Sequence, residues 1–306
     1  MGNGFDRLHP PGGGPAAATW ASGGWALGAA LLTVGLWSTN FPVIRYVLAV
    51  YTPGQVAFLR CAFAALAMAV YALAARMALP AWRDLPALAL FGLCGMSLSS
   101  LGLAFGLRTV SAGAGAFVIG MIPVFAALLA RRFLGERLRW AGWAGIAASV
   151  CGVVVIGFGE GEPLRVNAGV ALLAGSAFAQ AIFYVFQKPF LRRYRPAQIT
   201  AVVVWSGALW LAGWLPGLPA RMAEVPWTYT AALALQGIFP ISLAFVFWSF
   251  ALQRAKAAVV TSTVYLMPGL SLALAFLWLG EVPAVASVAG GLLAIAGVAV
   301  LNLWGK

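Results

Sequence analysis

The residues of this chain able to hold a solute are a few polar and aromatic side chains set inside long apolar runs. Asn40 follows Trp37 by one helical turn and shares its expected face. Gln180, Tyr184 and Gln187 keep the i, i+4, i+7 spacing of one helix face, as do Thr261, Tyr265 and Pro268. Another run supplies Gln236 and, farther along, Trp248 and Ser249. Such amide, hydroxyl and aromatic groups suit a zwitterionic or amphipathic solute. Their other possible role is to glue helices together or to anchor them at the membrane interface. Arg60 lies about seven residues into its run, roughly 10 Å along a helix axis. Either it attracts a substrate carboxylate, or it snorkels outward or pins backbone carbonyls, and the residues leave both open. The candidate solute-binding set is therefore Trp37, Asn40, Arg60, Gln180, Tyr184, Gln236, Trp248 and Tyr265.

What is missing narrows the chemistry. The acidic residues Asp6, Asp84, Glu136, Glu160, Glu162, Glu224 and Glu281 fall outside the apolar runs, and the single histidine, His9, is near the N-terminus. Proton relays depend on Asp, Glu or His inside the membrane. The expectation is a gradient-driven carrier or exchanger without a midplane proton-coupling carboxylate. An enzyme would need an acid–base set, a nucleophile or metal ligands near an interface. None is legible, so no enzymatic activity, metal or cofactor is expected. Cys61, Cys94 and Cys151 match no zinc or redox spacing and read as small apolar filler.

The elements that position these residues follow from composition. The chain is 63% hydrophobic and only 8% charged, against about 25% charged in a soluble domain. It cannot cover a water-facing surface. Runs near the 20 residues needed for a membrane crossing fall at 25–47, 53–75, 86–107, 111–130, 138–158, 167–187, 196–215, 228–251, 256–279 and 284–303. The first run is too long for a signal-peptide core and reads as a retained helix. Residues 1–24 read as a flexible cytoplasmic tail rich in Pro and Gly. The net charge of +12 sits in short loops, as membrane topology requires, so no nucleic-acid partner is expected.

Sliding the chain along itself by 145 residues aligns Met121-Ile122-Pro123 with Leu266-Met267-Pro268, and Leu134-Gly135-Glu136 with Leu279-Gly280-Glu281. Gly145 and Gly152 meet Gly290 and Gly297. Earlier in each half, Thr52-Pro53-Gly54-Gln55 resembles Arg195-Pro196-Ala197-Gln198, at an offset two residues shorter. The chain thus reads as two five-helix repeats, 25–158 and 167–306, joined by a linker at 159–166. Five is odd, so the second copy must be inverted in the membrane. Charge agrees: with both termini cytoplasmic, inside segments carry 14 Lys and Arg, outside segments 4. The loop after the fourth run has four arginines and its copy after the ninth has none, as inverted repeats require.

Two prolines and two carboxylates acquire readings from this repeat. Pro123 and Pro268 occupy copied positions and free backbone groups, so they are candidate hinges, or else static kinks. Glu136 and Glu281 are expected to stabilise the positive ends of the helices that follow them. The paired glycines read as close helix packing.

The sequence resembles the EamA-type branch of the drug/metabolite transporter superfamily. The resemblance is carried by Trp37-Ser38-Thr39-Asn40-Phe41, Phe58-Leu59-Arg60, Gly106-Leu107-Arg108-Thr109-Val110-Ser111-Ala112-Gly113, Pro123 through Leu134-Gly135-Glu136-Arg137, and Pro268 to Gly280-Glu281. It implies an all-α integral membrane fold of ten helices with a central cavity between the halves. It also implies alternating access and, often, export of amino acids, related metabolites or drugs. It makes an arginine at the place of Arg60 common among relatives with different substrates, which favours the structural role for that residue. Expected partners are a small-molecule substrate and the lipid bilayer; the oligomeric state is open. The expected location is a bacterial inner membrane. The alternative cargoes are lipophilic cations, for which a buried carboxylate is missing, and nucleotide-linked metabolites, for which Arg60 alone is thin support.

Overall fold

The computed structural model describes residues 15–134, 138–160, 167–254 and 263–304. Among the described residues the chain is helical, with no strand. Eight helical segments are long and apolar enough to cross a membrane, and a shorter apolar helix covers Thr263–Leu279. The expected run at 196–215 is met by Pro196–Trp210, of 15 residues. Large apolar side chains face outward along these helices, Leu73 at 80%, Leu277 at 79% and Val285 at 85% exposure. Water would penalise such a surface, whereas lipid covers it without cost. Trp82, Trp140, Trp227 and Trp304 are exposed near helix ends, where indole rings sit at the membrane interface.

In chain order the helices are α1 (Pro15–Ser38), α2 (Asn40–Val47), α3 (Pro53–Ala74), α4 (Leu85–Gly92), α5 (Ser99–Gly106), α6 (Ala112–Ile119), α7 (Ile122–Leu134) and α8 (Trp140–Gly159). The second half has α9 (Ala168–Phe186), α10 (Lys188–Leu191), α11 (Pro196–Trp210), α12 (Leu218–Glu224), α13 (Trp227–Gln236), α14 (Ala244–Arg254), α15 (Met267–Leu279) and α16 (Val285–Trp304). The first of these helices begins inside the stretch expected as tail. Local chemistry sets several starts. Thr52 and Gln55 form a capping box ahead of Pro53. Ser111 accepts from Ala114 N at 3.4 Å, and Asn167 Oδ1 from Gly169 N at 2.8 Å.

The halves are related by a pseudo-two-fold axis, visible contact by contact. Ser176 Oγ donates to Ser99 O at 2.6 Å, and the copied pair, Thr33 Oγ1 to Ala244 O, is 3.3 Å. Ser97 Oγ donates to Gly207 O at 2.9 Å, and its copy Ser242 Oγ to Ala64 O at 3.3 Å. Both serines also reach five residues back, to Gly92 O and Gly237 O, at 3.3 Å each. The expected third and eighth runs are accordingly not plain α-helices. Each widens into a π-helical turn, Leu93–Leu98 and Gly237–Leu243, the second around Pro240, which has no N–H to give.

The α8–α16 seam fixes the sense of that axis. A Cβ on Gly145 would lie 2.5 Å from Gly297 O, and one on Gly152 would lie 2.4 Å from Gly290 O. Residue numbers rise along one helix as they fall along the other, so the helices are antiparallel. Ser149, near the middle, donates to its own copy, Ala294 O, at 3.0 Å. Copied helices that cross antiparallel are related by an axis perpendicular to them, the geometry of inverted repeats.

Candidate functional site

The first membrane run stays helical through Thr39 (φ −70°, ψ −17°), but its hydrogen-bond ladder is interrupted there, between α1 and α2, because Pro42 has no N–H for the Ser38 carbonyl. Ser271 Oγ supplies that bond instead, at 3.1 Å. Trp37 and Asn40 sit one turn apart on either side of this interruption. Gln236 Nε2, at the end of α13, donates to Thr39 Oγ1 at 3.0 Å and to Thr39 O at 3.3 Å. Arg60, on α3, donates from Nη2 to Asn40 Oδ1 at 2.7 Å. Trp37 Nε1 donates to Pro240 O at 2.9 Å, and its ring lies 5.2 Å from Trp248 and 5.8 Å from Phe245. Trp37, Asn40, Arg60, Gln236 and Trp248 thus form one neighbourhood where the first run meets the second and eighth.

Three buried atoms in that neighbourhood have no hydrogen-bond partner among the described residues: Arg60 Nε, Arg60 Nη1 and Gln236 Oε1. Arg60 is 4% exposed and Gln236 3%. An unmade hydrogen bond to a buried polar group costs about 1–3 kcal/mol, and more when the group is charged. The arrangement can accept an anionic group at the guanidinium and a hydrogen-bond donor at the Gln236 oxygen.

The other sequence candidates lie elsewhere. Ser99 Oγ donates to Gln180 Oε1 at 3.0 Å, which ties Gln180 to the α5–α9 side, and Tyr184 packs against the apolar cluster that holds Phe91, Phe183 and Val203. Tyr265 takes a bond from Asn302 Nδ2 at 2.6 Å and gives one to Val298 O at 3.4 Å, which ties it to α16. Pro123 and Pro268 each sit in the first turn of a helix, α7 and α15, where a missing N–H breaks no helical bond. The discontinuities fall just before them, at Gly120–Met121 and in the 3-10 turn Thr263–Leu266. Glu136 and Thr261 lie outside the described residues, as does the side chain of Ser249.

Glu281 does something other than expected. Gly280, with φ 66°, turns the chain, and α16 starts only at Val285. The carboxylate instead serves α6: Ala112 N donates to Glu281 Oε2 at 2.9 Å, while Arg45 Nε donates to Oε1 at 2.7 Å. Glu160 holds the same helix start, accepting from Ser111 N at 2.8 Å and from Ser111 Oγ at 2.9 Å. At the opposite end Asp84 accepts from the Tyr194 hydroxyl and pairs with Arg193 Nη2 at 3.2 Å. The described carboxylates thus sit at helix ends. Sequence reasoning missed Thr39 and Pro240; Pro42 and Pro240, inside apolar runs, were the available signals of interrupted helices.

The EamA-like transporter family model matches the chain twice, over residues 24–158 and 167–303. The chain is similar to a probable terminal-alkyne amino-acid exporter of Streptantibioticus cattleyicolor, 37% identical over 91% of this chain and 92% of that one. It is similar to the uncharacterized transporter YdfC of Bacillus subtilis, 31% identical over 87% of each chain. A probable amino-acid metabolite efflux pump of Salmonella typhimurium is 26% identical over 90% of this chain and 94% of that one. A solved structure at 21% identity, covering 92% of this chain and 97% of that one, superposes with a TM-score of 0.63 and shares the fold. Two matched copies, packed as inverted helical halves with lipid-facing surfaces, agree with these likenesses: the chain is a multi-pass membrane protein that belongs to the EamA-like transporter family.

Proposed function

We propose that this protein exports amino acids or closely related small metabolites across a bacterial inner membrane by alternating access, with both termini cytoplasmic. The observation that carries the reading is the proline-interrupted hydrogen-bond ladder of the first run, where Arg60 and Gln236 from two other helices converge on Thr39 and Asn40 with buried polar atoms to spare. In carriers built from inverted repeats, interrupted helices at the seam between the halves form solute sites. The names of the Streptantibioticus and Salmonella relatives support amino acids as the cargo class. The excess of Lys and Arg in alternate loops supports the orientation. The carrier runs on the solute gradient, since the described carboxylates lie at helix ends, paired or capping, and not at mid-membrane.

The test is counterflow of radiolabelled amino acids in proteoliposomes, with and without an imposed pH gradient. Uptake driven by amino acid on the far side and indifferent to the pH gradient is the expected result. Accumulation only under a proton gradient would overturn the uncoupled mechanism. Movement of dyes or nucleotide conjugates in place of amino acids would overturn the cargo.

A further inference from the structure

The pseudo-two-fold axis supplies a control for the polar cluster inside the same molecule. The copy of Thr39 is Ile182, that of Asn40 is Phe183, that of Arg60 is Val203 and that of Gln236 is Phe91. The surrounding backbone is nevertheless alike. A Cβ on Gly237, next to Gln236, would lie 2.6 Å from Arg60 O and 2.7 Å from Ala64 N. A Cβ on Gly92, next to Phe91, would lie 2.7 Å from Val203 O and 2.9 Å from Gly207 N, the copied atoms. In the copy the side chains fill the space apolarly: Phe91 and Phe183 are 6.4 Å apart with both rings buried, and Val203 is fully buried. The same packing is therefore made without any polar group. Four polar residues at the equivalent place, one of them an arginine with two unsatisfied N–H-bearing nitrogens, are not required by the fold.

We propose that this one-sided cluster is the binding site for the two charged ends of an α-amino acid, with Arg60 taking the carboxylate and Gln236 Oε1 accepting from the ammonium. The assignment rests on the carrier reading above and deepens it. The orientation of the Gln236 amide follows from its contacts, because Thr39 O accepts only from an N–H and so the oxygen is the end left free. Asn40 Oδ1 holds one guanidinium nitrogen, which leaves Nε and Nη1 for the ligand. The two side chains are anchored on adjacent residues, Gln236 on Thr39 and Arg60 on Asn40. A free carboxylate is then the obligatory part of the cargo, since a neutral ester or amide leaves the guanidinium unpaired.

The experiment compares ligands before it compares variants. Wild-type protein in detergent is titrated with neutral L-amino acids, their methyl esters and their deaminated acids, reading intrinsic tryptophan fluorescence and thermal stabilisation. The amino acid should bind about ten- to a hundredfold more tightly than its ester. Arg60→Val and the pair Asn40→Phe/Arg60→Val, which bring in the copied residues at those positions, should stay monodisperse and lose that preference. Arg60→Lys should keep part of it, and Gln236→Leu should bind the amino acid and the deaminated acid alike. Esters bound as well as acids would overturn the assignment, with transport by the wild type leaving the carrier reading intact. Collapse of Arg60→Val on size exclusion would make Arg60 a structural pin and overturn it as well. Absence of any amino-acid binding or counterflow by the wild type would take down the cargo reading and the assignment together.

Discussion

Arg45 Nε lies 2.7 Å from Glu281 Oε1, an ion pair that joins the first half of the chain to the second at one end of the molecule. The same guanidinium donates from Nη1 to Leu107 O at 2.8 Å, and the same carboxylate caps α6 through Ala112 N at 2.9 Å. Both side chains are partly shielded from water, at 30% and 18% exposure, which strengthens their attraction over that of a fully solvated pair. In the proposed alternating-access cycle, the pair spans the seam that parts when this end opens.

Glu281→Gln is expected to loosen that end. Losing a charge-assisted hydrogen bond shifts an open–closed equilibrium by about tenfold. Ala112 is fully buried beside the pair, so Ala112→Cys serves as the reporter. Its labelling by a membrane-impermeant maleimide should be about tenfold faster in the Glu281→Gln background. Unchanged labelling would show that the pair does not restrain this end.

The α8–α16 seam tolerates no side chain at its glycines. In Gly152→Ala the new methyl would meet Gly290 O at 2.4 Å and Ala294 N at 2.6 Å, backbone atoms that no rotamer change can move aside. Overpacking of this kind costs about 1–3 kcal/mol. Gly175→Ala, where a Cβ has nothing within 4 Å, is expected to be neutral or to stabilise by up to about 1 kcal/mol through helix propensity. Thermal unfolding in detergent should separate the two variants clearly, and equal midpoints would refute the packing argument.

The repeat and the glycine seam were legible in the sequence because both depend on residue identity at a fixed offset. Inversion was legible because charge in short loops obeys membrane topology rather than packing. The site was legible only in part. Asn40, Arg60 and Gln236 stood out as polar residues in apolar runs, but Thr39 did not, since a threonine hydroxyl is readily absorbed by its own helix. Gln180 and Tyr265 carried the same signal and went to other seams, where Ser99 and Asn302 satisfy them. Periodicity places a side chain on a face; it does not say which neighbour that face meets. Glu281 was assigned to the wrong helix for a related reason, because the start of α6 lies 169 residues away in sequence.

Pro42 makes the break in the hydrogen-bond ladder beside which the cluster is built. Pro42→Ala restores an N–H that competes with Ser271 Oγ for the Ser38 carbonyl and closes the ladder across Thr39 and Asn40. Transport should fall about tenfold while the thermal midpoint stays within a few degrees of wild type, since one lost solute contact of about 1.4 kcal/mol suffices. Proteoliposome counterflow and thermal unfolding measure the two separately. Full transport by a folded Pro42→Ala protein would show that the break is incidental.

Two tyrosines at copied positions close the opposite ends. Tyr51 hydroxyl and Thr230 Oγ1 are 2.6 Å apart at the Glu281 end. Tyr194, its copy, donates to Asp84 at the other end and accepts from Ala81 N at 3.1 Å. Each bond crosses from one half to the other, so under the proposed alternating access each restrains the opening of its own end and favours that of the far one. Tyr51→Phe should raise labelling of Ala112→Cys and lower the accessibility of a cysteine at Ala78, which borders Gln198 at the other end through a 2.6 Å hydrogen bond. Tyr194→Phe should do the reverse. An alternating-access carrier requires the two variants to move the reporters in opposite directions, because the ends share one conformational equilibrium. Parallel changes at both reporters would mean that the ends open independently, and the rocking of one half against the other would fail as a mechanism.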